Sequence, residues 1–171
     1  MIILGIDPGL AIVGWGVIEY NASRFKTIAY GTITTEAGLD VEVRLQQIYR
    51  ELEEIIDMYR PTDMAVEELF FNTNITTAIA VAEARGVILL AGIQHGLHIA
   101  EYTPLQVKSA IVGYGRAEKK QVMTMVTSLL RLKQVPKPDD TADALAIAVC
   151  HAHSGGSKLS SFYNQKKTRL I

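Results

Sequence analysis

Six carboxylates, Asp7, Glu67, Glu68, Asp139, Asp140 and Asp143, have the types and spacing that could do chemistry. Asp7 stands directly before Pro8, and proline holds its predecessor extended. The apolar run of Ile2, Ile3, Leu4 and Ile6 ends on that carboxylate, a costly place for a charge without a partner. Helix capping is the plain alternative for Asp7, but a turn follows it rather than a helix. The segment MAVEE ends on Glu67 and Glu68, at the same sheet edge if that strand runs parallel to the first. Adjacent strand residues face opposite sides, so at most one of the two shares Asp7's site. The residues alone do not choose between them. An ordinary N-cap accounts for Asp139 or Asp140 in KPDDTADALAIAV. Asp140 and Asp143, three apart, lie on one helix face, where two carboxylates repel unless a cation or proton intervenes. Together these groups offer four hard oxygen donors, a set that selects Mg²⁺ or Mn²⁺ over zinc.

Other reactive residues carry less. His151 and His153 are two apart on a helix and point about 200° from each other. They are expected to be partly exposed, favourable against the helix dipole. His95 and His98 flank a turn and show no ligand pattern. The single cysteine, Cys150, excludes an internal disulfide and a Cys-based zinc site; it reads as a small buried hydrophobe. Neither a phosphate-binding GxxxxGK[ST] loop nor a Ser-centred nucleophile elbow is present, and Gly5, Gly9, Gly14 and Gly16 do not make a dinucleotide fingerprint. Phe70 and Phe71 precede Asn72-Thr73-Asn74. Phe70 is either core or a ring in a loop near the acidic edge, where it could stack on an unpaired base.

The elements that must position these groups follow from periodicity. Residues 2–7, 12–20 and 25–35 are β-branched and aromatic, separated by turn formers, and predict an antiparallel meander. Helical spacing over about 39–60 ends at Arg60-Pro61. A strand at 63–68, a small-residue helix at 75–95 and a strand at 97–102 come next. Helices at about 104–112, 117–132 and 140–153 complete the chain. The order βββαβαβααα predicts an α/β domain: one five-stranded mixed sheet flanked by helices, strands four and five parallel to the first. The domain is expected over residues 1–153, with a basic, mobile C-terminal tail over 154–171.

With 171 residues, 49% hydrophobic and 20% charged, the chain can bury a core, which excludes disorder as its main state. Its N-terminus, MIILGIDPG, lacks the features of a signal peptide, so a soluble, cytoplasmic domain without a membrane span is expected. The net charge is −1, but residues 1–103 hold 6 Lys+Arg against 14 Asp+Glu, and residues 104–171 hold 11 against 4. Solvated helix faces explain such asymmetry on their own. A segregated basic surface also attracts phosphates.

GIDPG with GWGVIE, AVEELFF with NTN, EARGV, QVK, GYGRAEK, and DTADALAIA with its HAH end resemble the RuvC family of Holliday junction resolvases, within the ribonuclease H-like fold. The resemblance covers residues 1 to about 153. It places the family's carboxylates at Asp7, Glu67, Asp140 and Asp143, and so selects Glu67. It puts basic residues near the junction at Lys108 and Lys119, with Lys119 the helper at the scissile phosphate. Phe70 matches the aromatic inserted at the crossover, and Arg116 and Lys120 extend the DNA-binding set. The implied activity is Mg²⁺-dependent resolution of four-way DNA junctions by paired nicks, leaving 5′-phosphate and 3′-hydroxyl ends. Two ions ~4 Å apart would activate water and stabilise the leaving oxygen, and Mn²⁺ could substitute. A homodimer is implied, with branch-migration partners of the RuvA and RuvB type; the small-residue 75–95 helix is a candidate dimer surface, its plain alternative is packing against the sheet, and one face could do each. The rivals are a ribonuclease H-like enzyme acting on RNA or RNA–DNA hybrid, an actin-like nucleotide phosphatase, for which this chain is one domain short, and a non-catalytic junction-binding module.

Overall fold

In the computed structural model, which describes residues 1–68 and 75–155, three antiparallel strands open the chain: β1 (Ile2–Asp7), β2 (Ile12–Asn21) and β3 (Arg24–Thr34). Helix α1 (Val41–Tyr59) leads to β4 (Asp63–Glu67), and α2 (Ile75–Gln94) to β5 (His98–Tyr102). Three helices follow, α3 (Pro104–Val112), α4 (Lys119–Leu129) and α5 (Asp139–Gly155). The sheet order is β3-β2-β1-β4-β5, with β4 parallel to both β1 and β5. The expected element order and mixed sheet are therefore observed.

Strand alternation divides the core into two layers. Leu4, Ile6, Val13 and Val17 face Ile48, Leu52 and Ile56 of α1 and Ala84, Ile88 and Ala91 of α2. Ile3 and Ile18 face the other way, towards Val107 and Ile111 of α3, Val122 and Val126 of α4, and α5. Helix α5 lies between the sheet and α3/α4, and every residue from Ala144 to Ala152 is buried. A helix apolar all round is what such a position requires. Helix α2 buries one face and leaves Ile79, Leu90 and Ile93 exposed on another.

Local caps set the helix ends: α3 keeps its expected bounds, whereas α4 and α5 depart from theirs. Thr103 and Gln106 form a reciprocal capping box with Pro104 in the first turn of α3. At the start of α4, Glu118 N–H donates to Gln121 Oε1 at 2.9 Å; the helix starts at Lys119 and stops at Leu129, before Arg131 turns left-handed. Helix α5 begins at Asp139, so Asp139 and Asp140 occupy its first turn instead of either capping it.

Candidate active site

Asp7 ends β1, and the parallel register that pairs Ile6 with Val66 carries Glu67 to the same edge on β4. Helix α5 brings Asp140 and Asp143 to that edge by lying flush on the sheet. Three glycines permit it. A Cβ on Gly5 would stand 2.1 Å from the Ala144 carbonyl oxygen, one on Gly14 2.1 Å from that of Asp140, and one on Gly16 2.6 Å from the Leu145 side chain. Gly14 is also the cross-strand partner of Asp7. The bare backbone of β2 thus sets the first turn of α5 beside the end of β1.

The electrostatics show the acids acting on one another. Burial, then the charges of Glu67, Asp143 and Asp140, push the Asp7 carboxyl from 3.8 to about 8, with Lys119 pulling it down. Glu67 is raised by burial and then by Asp143, against Lys119 and Lys108. Of the two strand-end glutamates, Glu67 is the one that acts on Asp7. The Asp7 and Glu67 carboxyls, raised by burial and by the charges around them, lie in a site short of positive charge. Hard donors in that condition fit Mg²⁺ or Mn²⁺.

Lys119, the first residue of α4, reaches into this acidic edge. Its Nζ lies 2.9 Å from Asp143 and 3.4 Å from Asp139. Burial works to lower its pKa, but the hydrogen bond and charge of Asp143, with those of Asp139, prevail and raise it. Asp139, expected as a possible cap, is therefore a partner of Lys119. Lys108 of α3 is half-buried and acts on Glu67, whereas Arg116 and Lys120 are exposed. Lys120 lines an open groove with Val112, Gln121 and Met125.

Arg85 of α2 escaped the sequence reading. Its Nε donates to the Glu67 carbonyl at 3.4 Å, and its Nη2 meets Glu101 at 2.5 Å with both side chains largely covered. One guanidinium thus ties the end of β4 to β5 at the residue that carries the site's glutamate. Its position within EARGV was the available signal, but that segment names no partner.

The histidines correct two expectations. His151 is buried, with 4% exposure, because α5 has no free face. Its Nδ1 pairs with the Tyr102 hydroxyl at 2.9 Å and its Nε2 with Asp63 at 3.3 Å. His98, which showed no pattern in sequence, joins them: Asp63, His98 and His151 bring ligand atoms within 4.8 Å of one another and form a group that could hold a metal ion. Cys150 is buried, as expected, and burial pushes its thiol up to about 12. Phe70 and the tail lie outside the described residues, apart from Ser154 and Gly155 at the end of α5.

The family model described as "Crossover junction endodeoxyribonuclease RuvC" matches residues 3–151. The chain belongs to the RuvC family. The crossover junction endodeoxyribonuclease RuvC of Alkaliphilus metalliredigens is 61% identical over 155 residues, which span 91% of this chain and 94% of that one. Among solved structures, Thermus thermophilus RuvC superimposes with a TM-score of 0.84 at 35% identity, over 91% of this chain and 96% of the other. The same protein in complex with a Holliday junction substrate gives 0.86 at 36% identity, over 91% and 94%. The fold is accordingly the ribonuclease H-like fold of RuvC.

Proposed function

We propose that this chain is a structure-selective endonuclease that resolves four-way DNA junctions in homologous recombination and DNA repair. It places paired nicks in opposing strands and leaves 5′-phosphate and 3′-hydroxyl ends. The observation that carries this reading is the convergence of Asp7, Glu67, Asp140 and Asp143 at one sheet edge, beside Lys119 and Lys108, in a member of the RuvC family.

Asp7, Glu67, Asp140 and Asp143 would hold Mg²⁺, two ions per site, with Mn²⁺ as a substitute. Bound there, the metal supplies Lewis acidity at the phosphodiester and a nucleophile from water. The chain's own groups do the rest. Burial and the neighbouring acids favour the protonated form of Asp7, and a cation held there would favour the carboxylate. Lys119 is anchored on Asp143 at 2.9 Å, which aims its ammonium at charge developing on the scissile phosphate. Lys108, Arg116 and Lys120 grip phosphates and set the position of the junction without reading its sequence. Phe70, three residues beyond β4, stacks at the crossover, and the basic tail over 154–171 adds affinity.

Two copies related by a two-fold axis would present two sites to a junction of matching symmetry. The exposed Ile79, Leu90 and Ile93 of α2 support that helix as the dimer surface. Branch-migration proteins of the RuvA and RuvB type are the expected partners. Among the described residues no helix is long and apolar enough to cross a membrane, and the setting proposed is the cytoplasm.

Cleavage of an end-labelled mobile four-way junction, beside linear duplex and RNA–DNA hybrid, with Mg²⁺ or EDTA, tests the reading. Metal-dependent paired nicks in the junction alone are expected, with Asp7→Asn binding the junction but not cutting it. Cutting of the hybrid would move the assignment to a ribonuclease. Binding without cutting in Mg²⁺ or Mn²⁺ would leave a junction-binding module.

A further inference from the structure

The sheet edge opposite the four acids carries a second set of ligand-bearing side chains. Asp63 opens β4, His98 opens β5, and His151 lies near the C-terminal end of α5. Asp63 and His98 are register partners. Asp63 is four residues from Glu67, or about 13 Å along an extended strand, so the two sets are separate.

Asp63 Oδ1 is the centre of this group. His151 Nε2 lies 3.3 Å from it and His98 Nδ1 lies 3.4 Å from it. Both separations are long for an N–H···O hydrogen bond, whose usual length is about 2.9–3.0 Å. They match the spacing of two donors on one tetrahedral ion, which for ligand distances of about 2.0–2.1 Å is about 3.4 Å. The surrounding bonds suit the same purpose. Tyr102 Oη holds His151 Nδ1 at 2.9 Å, and a ligating imidazole is oriented through its far nitrogen in this way. Thr62 Oγ1 donates to Asp63 Oδ2 at 2.5 Å and leaves Oδ1 to face the two rings. The His151 side chain is 5% exposed and that of Asp63 16%, while that of His98 is 61% exposed. His98 is thus the most exposed member, and it borders the open side of the group.

We propose that Asp63, His98 and His151 form a binding site for one borderline divalent cation of the zinc type, distinct from the catalytic carboxylates. Two imidazoles and one carboxylate favour zinc over magnesium, so the site does not compete for the ion of the acidic edge. The cation would join the starts of β4 and β5 to the far end of α5, the helix whose first turn carries Asp140 and Asp143. It would bind the folded chain and raise its stability accordingly.

The test uses the full chain, stripped with EDTA, in an Asp7→Asn, Asp140→Asn background that weakens the acidic site. Co²⁺ is the spectroscopic probe, and Zn²⁺ is followed by melting temperature. One Co²⁺ per chain with the intense visible absorption of tetrahedral coordination is expected, displaced by Zn²⁺ but not by excess Mg²⁺. Zn²⁺ should raise the melting temperature. His98→Gln, at an exposed position, should melt like its parent without metal and lose both signals. Tyr102→Phe should weaken Co²⁺ by about 10–100-fold. The proposal is overturned by the lack of a saturable tetrahedral spectrum, or by a spectrum or a Zn²⁺-induced rise that survives His98→Gln.

Discussion

Replacing Gly14 with alanine tests how the site is assembled without touching any acid. The new Cβ would lie 2.1 Å from the Asp140 carbonyl oxygen and 2.4 Å from its carbon, where ordinary contact begins at 3.4 Å. Both neighbours are backbone, so no side chain can swing aside, and the first turn of α5 or the end of β2 must move by about 1 Å. Overpacking of this kind costs about 1–3 kcal/mol, or about 2–12 °C of melting temperature for a chain of this size. The catalytic loss should be larger in proportion. A displacement of about 1 Å costs about 10²-fold in rate, and it falls on Asp140 and Asp143 together. Junction affinity, which the proposed function assigns to phosphate contacts of α3 and α4, should stay within a few-fold. Single-turnover cleavage of a labelled four-way junction, gel-shift affinity and thermal melting of the same preparation separate the three effects. Gly14→Ala protein that melts and cleaves like the wild type would refute the argument that this glycine positions the acids.

In EDTA, the raised Asp7 carboxyl keeps its proton in the folded chain between pH 3.8 and about 8, after the unfolded chain has lost it. Its contribution therefore makes stability fall as pH rises through that interval. The melting-temperature difference between wild type and Asp7→Asn should follow this slope, and a difference that is flat or rises with pH would contradict it. Lys119→Met removes the ammonium held by Asp143 and Asp139. Cleavage should fall about 10²-fold with binding nearly intact and partial recovery in Lys119→Arg; equal losses in rate and affinity would instead place Lys119 in DNA binding. Arg85→Met breaks the link between Glu67 and Glu101. It should cost about 2 kcal/mol, and unchanged melting would show that the link does not hold the end of β4.

Much of the site was legible along the chain because its signals are local. Proline at position 8 fixes Asp7 at a strand end, the strand and helix periods give the order of elements, and spacing alone puts Asp140 and Asp143 on one helix face. Family motifs then select Glu67. The residues by themselves could not, because that choice depends on which face of β4 meets α5. Only tertiary structure decided the remaining partners. Lys119 meets Asp139 through the packing of α4 against α5, and Arg85 reaches Glu67 and Glu101 across the edge of the sheet. His151 and Asp63 are 88 residues apart in the chain, and no periodicity links them. His151 is buried because α5 is enclosed between the sheet and two helices, a fact about the neighbours of the helix that its own sequence does not contain. Sequence determined which groups exist and which local face each occupies. Packing determined which faces meet, because contacts between distant segments depend on the relative placement of whole elements.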